Sequence, residues 1–272
     1  MTPPLRPLVM GILNVTPDSF SDGGRYLDAA AAIAHGERLI AEGADVLDIG
    51  GESTRPGADP VDAAEEIGRV IPVIAALAGR TRISVDTMKP AVARAAVAAG
   101  ATIWNDVAAL AGSPESLSAA AELGCGVVLM HMQGDPRTMQ VAPDYDDVVA
   151  EVAQFLDARA QAAVAAGVAP ARIWLDPGIG FGKTRAHNLE LLAHLDWLTA
   201  LGFPVLVGAS RKSFIEHVAG DGSAGRGRLG GSVAAALAAV RAGAAAVRVH
   251  DVAATVQALA VERAIAAARS DV

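Results

Sequence analysis

Polar and charged side chains recur where the short apolar runs of this sequence end. Five of them close or follow such a run: Asn14, Asp86, Asn105, Asp176 and Arg248. A polar side chain that is buried loses its hydration and must find a partner, so these residues are candidates for one shared binding site. Carboxylate and amide oxygens accept hydrogen bonds, whereas a guanidinium binds anions. Together with the positive groups of Arg55, Lys212 and His250, the set suits a ligand with a donor-rich ring and a phosphate tail.

Other polar residues follow the same kind of run, and they fall into two groups. Arg55, Lys212 and His250 add positive charge or hydrogen-bond donors to the predicted site. The second group needs no functional role, because Ser, Thr and Asp are favoured where helices begin. Its members are Thr87, Ser213 and Asp251.

Two kinds of segment alternate along the chain and must position these residues. Short, often β-branched apolar runs predict buried strands, and Ala-rich stretches with charges at helical spacing predict amphipathic helices. The predicted strands are 8–15, 45–49, 82–86, 102–106, 127–131, 173–176, 205–208 and 246–249. The predicted helices are 28–42, 61–78, 90–99, 115–123, 145–166, 187–201, 229–242 and 251–268, with a short additional helix from residue 213.

Eight strand–helix units in 272 residues, with no linker between them, predict the α/β fold class. The predicted architecture is a single (β/α)8 TIM barrel that spans residues 1–272 as one domain. In such a barrel the reactive groups lie at the C-terminal ends of the strands, which is where the candidate residues occur. An open doubly wound sheet is the alternative, and the strand count favours the barrel.

The composition argues against several kinds of partner. A net charge of -8 and an aromatic content of 4% disfavour nucleic acid, which needs a basic surface or stacking side chains. The longest stretch without Asp, Glu, Lys or Arg, residues 197–210, is shorter than the roughly 20 residues of a membrane span. The single cysteine, Cys125, cannot form an intramolecular disulfide and is expected to be buried. We expect a cytoplasmic protein without a secretory signal, and neither a nucleic-acid nor a membrane partner.

Three well-known catalytic patterns are not matched. The run DPGIGFGKT at 176–184 is similar to a phosphate-binding loop, but Pro177 stands where the Walker A motif has its first glycine. The six histidines show no HExxH or Cys–His spacing, so the sequence does not indicate a zinc site. A GxSxG motif is also missing, which leaves a serine hydrolase unsupported.

The residues considered so far lie in eight distinctive segments. These are MGILNVTPDSFSDGG at 10–24, DIGGESTRPGA at 48–58, and then SVDT, NDV, LMHMQGDPRTMQ, DPGIGFGK, SRKSFI and RVHDV. In this order and at this spacing they resemble the signatures of the dihydropteroate synthase family. The resemblance covers about residues 8–265, and it rests on the whole ordered set, because one such motif alone would be weak.

The resemblance implies a role for individual residues. Those expected around the pterin ring are Asp86, Asn105, Met130, Asp176, Phe181, Lys212 and Arg248. Those expected at the diphosphate are Asn14, Thr54, Arg248 and His250, with Mg²⁺ near Asn14. Those expected at p-aminobenzoate are Phe20, Arg55, Pro56, Ser210 and Lys212. The residues implied in catalysis are Asp86, Lys212, Arg248 and His250.

The resemblance also implies a reaction and an assembly. The reaction joins 7,8-dihydropterin-6-ylmethyl diphosphate to p-aminobenzoate in folate biosynthesis, and the assembly is a homodimer. It implies a sulfonamide target, because those drugs mimic p-aminobenzoate. Two alternatives stay open: a pterin-binding corrinoid methyltransferase domain and a non-catalytic pterin-binding subunit. The presence of Asn14, Arg55 and His250 favours the synthase over both.

Overall fold

The strands of the protein form one parallel sheet that closes on itself. The computed structural model describes residues 6–16, 25–53, 59–135, 138–220 and 227–270. Neighbouring strands follow the order β6-β5-β4-β3-β2-β1-β8-β7, and a parallel bridge between Leu175 and Val205 joins the two ends. The strands are β1 (Leu8–Asn14), β2 (Val46–Gly50), β3 (Arg82–Asp86), β4 (Ile103–Asp106), β5 (Gly126–Met130), β6 (Ile173–Asp176), β7 (Leu206–Val207) and β8 (Ala246–Val249). The predicted barrel is confirmed, and the open doubly wound sheet is excluded.

Helices alternate with the strands and pack around the barrel. Those in the described residues are α1 (Arg25–Ala41), α2 (Ala63–Leu77), α3 (Pro90–Ala98), α4 (Ser116–Leu123), α5 (Val148–Ala165), α6 (Arg185–Ala193), α7 (Asp196–Thr199), α8 (Ser213–Ala219), α9 (Leu229–Arg241) and α10 (Val252–Ser270). Apolar spacing drives their packing: α2 buries Val70, Val73 and Leu77 on the face that meets the barrel. None of the helices in the described ranges is long and apolar enough to cross a membrane.

Most predicted elements differ from the observed ones by up to three residues at their ends, and two of the differences have a physical explanation. The predicted helix 187–201 is two helices, α6 and α7, which separate at His194. Neither glycine nor proline marks this break, and the buried Leu191, Leu195 and Leu198 keep helical spacing across it, so the sequence pattern predicts one helix. The predicted strand 205–208 is shorter, because Val205 forms an isolated bridge to β6 and the ladder of β7 with β8 covers only Leu206–Val207.

The register of the strands sorts the side chains inside the barrel into layers. Residues paired across parallel strands share a face, and alternate strands supply each layer of a TIM barrel. Two layers on the N-terminal side of the barrel are Val46, Ile103, Trp174 and Ala246, then Met10, Ser84, Val128 and Leu206. The next two are Asp48, Asn105, Asp176 and Arg248, then Ile12, Asp86, Met130 and Gly208. The interior therefore changes from apolar to polar towards the barrel mouth.

An apolar cavity lies at the opposite, N-terminal end of the barrel. Its apolar lining includes Met10, Val46, Val128 and Ala246, and it measures about 740 Å³ when the part open to solvent is included. Ala246 contributes a small side chain to this lining, where TIM barrels usually have bulky branched residues. The cavity and the polar mouth are thus separate regions of one barrel.

Candidate active site

A recess at the barrel mouth brings together all of the residues predicted around the pterin ring. Its volume, including the part open to solvent, is about 320 Å³, which is near the lower end of the roughly 300–1,000 Å³ typical of small-molecule sites. The lining residues are Asp86, Asn105, Val107, Met130, Asp176, Gly178, Ile179, Phe181, Gly208, Lys212 and Arg248. All seven residues that the sequence places around the pterin therefore line one recess.

Asp86, Asn105 and Asp176 supply hydrogen-bond acceptors to one side of the recess. Asn105 and Asp176 are buried, at 4% exposure each. Burial raises the pKa of Asp176 to about 6. Two groups act in the opposite direction: the backbone N–H of Gly178, which donates to Asp176 Oδ1 at 2.7 Å, and the charge of Arg248. Burial also raises the pKa of Asp86 well above its usual range, although Arg248 opposes the rise. The recess therefore holds carboxylates whose ionised form gains from a donor-rich or cationic ligand.

Arg248 lies inside the polar layers and not out on the rim. Its Nε donates to Asp48 Oδ2 at 2.5 Å, and its Nη2 donates to Asp86 Oδ2 at 2.7 Å. Burial works against the charge of Arg248, but the carboxylates of Asp48 and Asp86 outweigh it and raise the pKa of the guanidinium. Arg248 is charged at every physiological pH and holds two carboxylates together.

The loop after β6 forms one wall of the recess. The ring of Phe181 lies under the Lys212 ammonium, with Nζ 4.0 Å from the ring centroid. The loop packs closely against the segment that follows β5, because a Cβ added to Gly178, at φ +66°, would lie 1.8 Å from the carbonyl oxygen of His131. Gly178 therefore allows close backbone packing at the base of the wall that carries Phe181.

A buried ion cluster behind this wall was not singled out by the sequence. Lys183 is 3% exposed, and its Nζ donates to the carbonyl oxygen of Phe181 at 2.9 Å and lies 2.8 Å from His131 Nδ1. Burial lowers the pKa of Lys183 to about 7, with Asp176 acting in the opposite sense. Burial and the Lys183 charge lower the pKa of His131 to about 3, so this imidazole is neutral. The sequence signal that could have indicated this cluster is a lysine at the end of a glycine-rich run.

The side of the mouth after β7 and β8 holds the groups suited to an anion. Ser210 Oγ accepts from the backbone N–H of His250 at 3.2 Å and lies 3.1 Å from its Nδ1. Burial and the nearby charges of Arg211 and Arg248 lower the pKa of His250 to about 4. Arg211 makes a two-point ion pair with Asp251, at 2.6 and 3.0 Å. His250 is therefore a neutral hydrogen-bonding group at pH 7.

The remaining predicted residues lie around the mouth or outside the described residues. Asn14 ends β1, half-buried and paired in register with Gly50. Phe20, Thr54, Arg55 and Pro56 fall in the two segments 17–24 and 54–58, which lie outside the described residues. Glu52, among the last described residues before the second segment, accepts from Lys89 Nζ at 2.6 Å and from the backbone N–H of Val61 at 2.9 Å.

Lysine is rare in this protein and is confined to the mouth. The sequence holds only Lys89, Lys183 and Lys212. They follow β3, β6 and β7 respectively, so each lies beyond the carboxyl end of a strand. The surface away from the mouth draws its positive charge from arginine. Across residues 6–16, 25–53, 59–135, 138–220 and 227–270 there is no group of three or more His, Cys, Asp or Glu side chains that could hold a metal ion.

Comparisons with known proteins agree with this geometry. The sequence model of a family described as pterin binding enzyme matches residues 10–250. A dihydropteroate synthase of Neisseria meningitidis serogroup C is 55% identical over 261 residues, which are 93% of this chain and 91% of that protein. A Xanthomonas albilineans dihydropteroate synthase structure with 4-aminobenzoic acid superposes with a TM-score of 0.89 at 57% identity, and covers 96% of this chain and 94% of that one. Another, in complex with 7,8-dihydropteroate, gives 0.86 at 54% identity, with the same coverage.

The family match runs from β1 to the residue after β8, so it includes every strand that supplies the recess. The chain therefore belongs to the pterin binding enzymes. Within that family, its sequence and its fold both align over nearly their full length with dihydropteroate synthases, and the chain belongs to that group.

Proposed function

We propose that this protein condenses 7,8-dihydropterin-6-ylmethyl diphosphate with p-aminobenzoate to give 7,8-dihydropteroate and diphosphate. The observation that carries the proposal is the recess itself. Buried acceptors on Asp86, Asn105 and Asp176 meet the positive charge of Lys212 and Arg248 within one small volume. This charge arrangement matches a substrate with a donor-rich ring and an anionic tail.

The pterin ring binds deepest, among the buried acceptors. Its amino and ring N–H groups donate to Asp86, Asp176 and Asn105, and these bonds offset the cost of burying the carboxylates. Met130 and Phe181, which line the recess, give a flat ring two apolar surfaces. Ring donors that reach Asp86 compete with Arg248 for its carboxylate, which leaves part of the guanidinium available to the diphosphate.

The diphosphate binds where the loops after β7 and β8 meet, a common phosphate position in TIM barrels. Arg248 supplies charge, whereas neutral His250 supplies hydrogen bonds only, together with Thr54. In the chemical step the bond between the pterin methylene and the diphosphate oxygen breaks, and the electron pair leaves with diphosphate. Arg248 stabilises the charge that develops on that oxygen. Asp86 and Asp176 stabilise the positive charge that develops on the pterin.

Asn14 fits a magnesium ion that the substrate itself helps to hold. Mg²⁺ prefers oxygen ligands and usually shares them with substrate phosphates and water. The amide oxygen of Asn14 at the end of β1 would provide one such ligand. When bound, Mg²⁺ would neutralise charge on the departing diphosphate. The pterin ring is positioned by protein side chains and not by the magnesium ion.

p-Aminobenzoate approaches above the bound pterin. Ser210 and Lys212 position it from the loop after β7, and the resemblance adds Phe20, Arg55 and Pro56. Its neutral amine attacks the methylene carbon, a C–N bond forms, and the amine proton passes to solvent.

We also propose that residues 1–272 act as one domain, in a homodimer. The bacterial relatives and the single buried Cys125 support a cytoplasmic location.

Diphosphate release from the purified protein tests the proposal. The protein is mixed with the dihydropterin diphosphate and Mg²⁺, with and without p-aminobenzoate, and both diphosphate and dihydropteroate are measured. Release that depends on the arylamine and yields dihydropteroate supports the synthase. Tight pterin binding without release favours the binding subunit, and methyl transfer from a folate to a corrinoid favours the methyltransferase domain.

A further inference from the structure

A carboxylate in the polar layer of the barrel touches two residues of the recess without lining it. Asp48 lies in the middle of β2 and is 0% exposed. Its Oδ2 accepts from Arg248 Nε at 2.5 Å and from Asn105 Nδ2 at 3.1 Å. Its other oxygen, Oδ1, has no hydrogen-bond partner among the described residues. Asp48 is therefore a fully buried charge that connects β2, β4 and β8.

The position of Asp48 explains how it reaches both partners. Alternate strands supply each layer of a TIM barrel, and these layers are usually built from Val, Ile and Leu. Here β2, β4, β6 and β8 supply Asp48, Asn105, Asp176 and Arg248 to a single layer. Asp48 is thus a neighbour of Asn105 on one side and of Arg248 on the other, across the barrel interior.

A contribution to the stability of the fold does not by itself explain the buried aspartate at position 48. Burying an ion pair costs desolvation that its attraction often does not recover, and apolar residues of similar volume are frequently at least as stable. The unpartnered Oδ1 adds to that cost. A barrel selected for stability alone would place an aliphatic side chain here, as it does two residues earlier with Val46. The geometry points to a gain elsewhere.

We infer that Asp48 is a positioning residue for pterin binding, because its carboxylate fixes both the guanidinium of Arg248 and the amide of Asn105. This inference rests on the proposed function. A carboxylate can only accept hydrogen bonds, so it binds the Nδ2 end of the Asn105 amide and holds that amide in one of its two orientations. The Oδ1 of Asn105 then remains as an acceptor for ring donors. On the other side, the bond to Nε fixes the plane of the Arg248 guanidinium and leaves its outer nitrogens to Asp86 and to an anion.

The test compares pterin binding and turnover in Asp48→Asn with those in Ser84→Ala. Ser84 pairs in register with Asp48 on β3, is also 0% exposed, and its Oγ has no partner among the described residues. Wild-type protein is assayed first, so that an inactive wild type counts against the proposed function and not against Asp48. We expect Asp48→Asn to weaken binding of the dihydropterin diphosphate by about 10- to 100-fold, the range for one hydrogen bond to a charged group. KM for p-aminobenzoate in Asp48→Asn should stay within about twofold of the wild-type value. In Ser84→Ala, both the affinity for the dihydropterin diphosphate and the KM for p-aminobenzoate should stay within the same range.

A double-mutant cycle separates positioning from general destabilisation. Asp48→Asn, Arg248→Met and the double variant are compared by equilibrium binding of the pterin substrate, which needs no turnover. If Asp48 acts partly through Arg248, the double variant loses less affinity than the sum of the single losses. Asp48→Ser replaces Asp48→Asn if the latter does not fold. Additive losses, or wild-type pterin affinity in a folded Asp48 variant, would overturn the inference.

Discussion

The carboxylates of the recess differ from surface carboxylates because burial opposes their charge. Asp176 shows this most simply, since burial raises its pKa to about 6 while the Gly178 N–H and nearby cations pull in the other direction. A raised pKa means that folding favours the protonated form. The stability that this group contributes is present below the pKa of the unfolded chain and is lost as pH rises through about 6.

Asp176→Asn is therefore expected to separate stability from binding. At pH 8 the ionised aspartate destabilises the ligand-free fold, so the neutral asparagine should raise the free energy of unfolding by up to about 3 kcal/mol. The gain should shrink as pH falls towards 5, where the wild-type carboxyl becomes protonated. Pterin affinity should fall by at least about tenfold at pH 8. Urea unfolding at both pH values and pterin titration measure these effects. A variant that is less stable than wild type at pH 8 would contradict this account.

At the scale of an element, the sequence predicts the strands and helices but not the contacts between them. The eight-strand pattern predicts the barrel because apolar runs and helical spacing are local signals. Composition cannot show which residues meet across the interior, since this depends on register and on the stagger of the strands. Asp48 and Lys183 were missed for that reason: each lies in a motif but contributes through partners far away in sequence. The break between α6 and α7 has no local signal.

Gly178→Ala should disrupt the recess wall beyond the ordinary cost of a side chain at positive φ. The new Cβ would lie 1.8 Å from the His131 carbonyl oxygen, which forces the loop away from β5 and displaces Phe181. Gly202→Ala is the matched control, because its φ of +84° is similar and nothing lies within 4 Å of an added Cβ. We expect the control to lose about 1–2 kcal/mol of stability and to keep pterin affinity.

Gly178→Ala should lose pterin affinity by at least about tenfold as well as stability. Isothermal titration with the pterin substrate and thermal unfolding check both variants side by side. Equal affinity in the two variants would show that the close approach of the two loops does not position the wall.

At the scale of the whole molecule, the barrel divides into two halves with different tasks. The upper layers hold the polar side chains of the recess, and the lower layers are mostly apolar and line the cavity. In TIM barrels the catalytic residues occur at the carboxyl ends of strands, whereas the opposite end serves stability. Changes to the lower layers should therefore alter stability without altering turnover.

Ala246→Val tests this division. Ala246 is 2% exposed and lines the lower cavity, so a valine there should fill empty space. We expect the free energy of unfolding to rise by about 0.5–1 kcal/mol, with kcat/KM for both substrates unchanged. Ala245→Val is the control, because Ala245 is adjacent and does not line the cavity. Guanidinium unfolding and steady-state assays give the comparison. A fall in kcat/KM would mean that the two halves are coupled.

The placement of the lysines has a chemical consequence. Arginine supplies the positive charge of the outer surface, and every lysine side chain lies at the mouth, where Lys89 is held in an ion pair and Lys183 is buried. Reagents that acylate lysine side chains will therefore react only around the opening of the barrel. Acylation of Lys212, the lysine over the Phe181 ring, becomes a measure of whether the recess is occupied. Labelling chemistry that marks the outside of most proteins would in this one report on its interior.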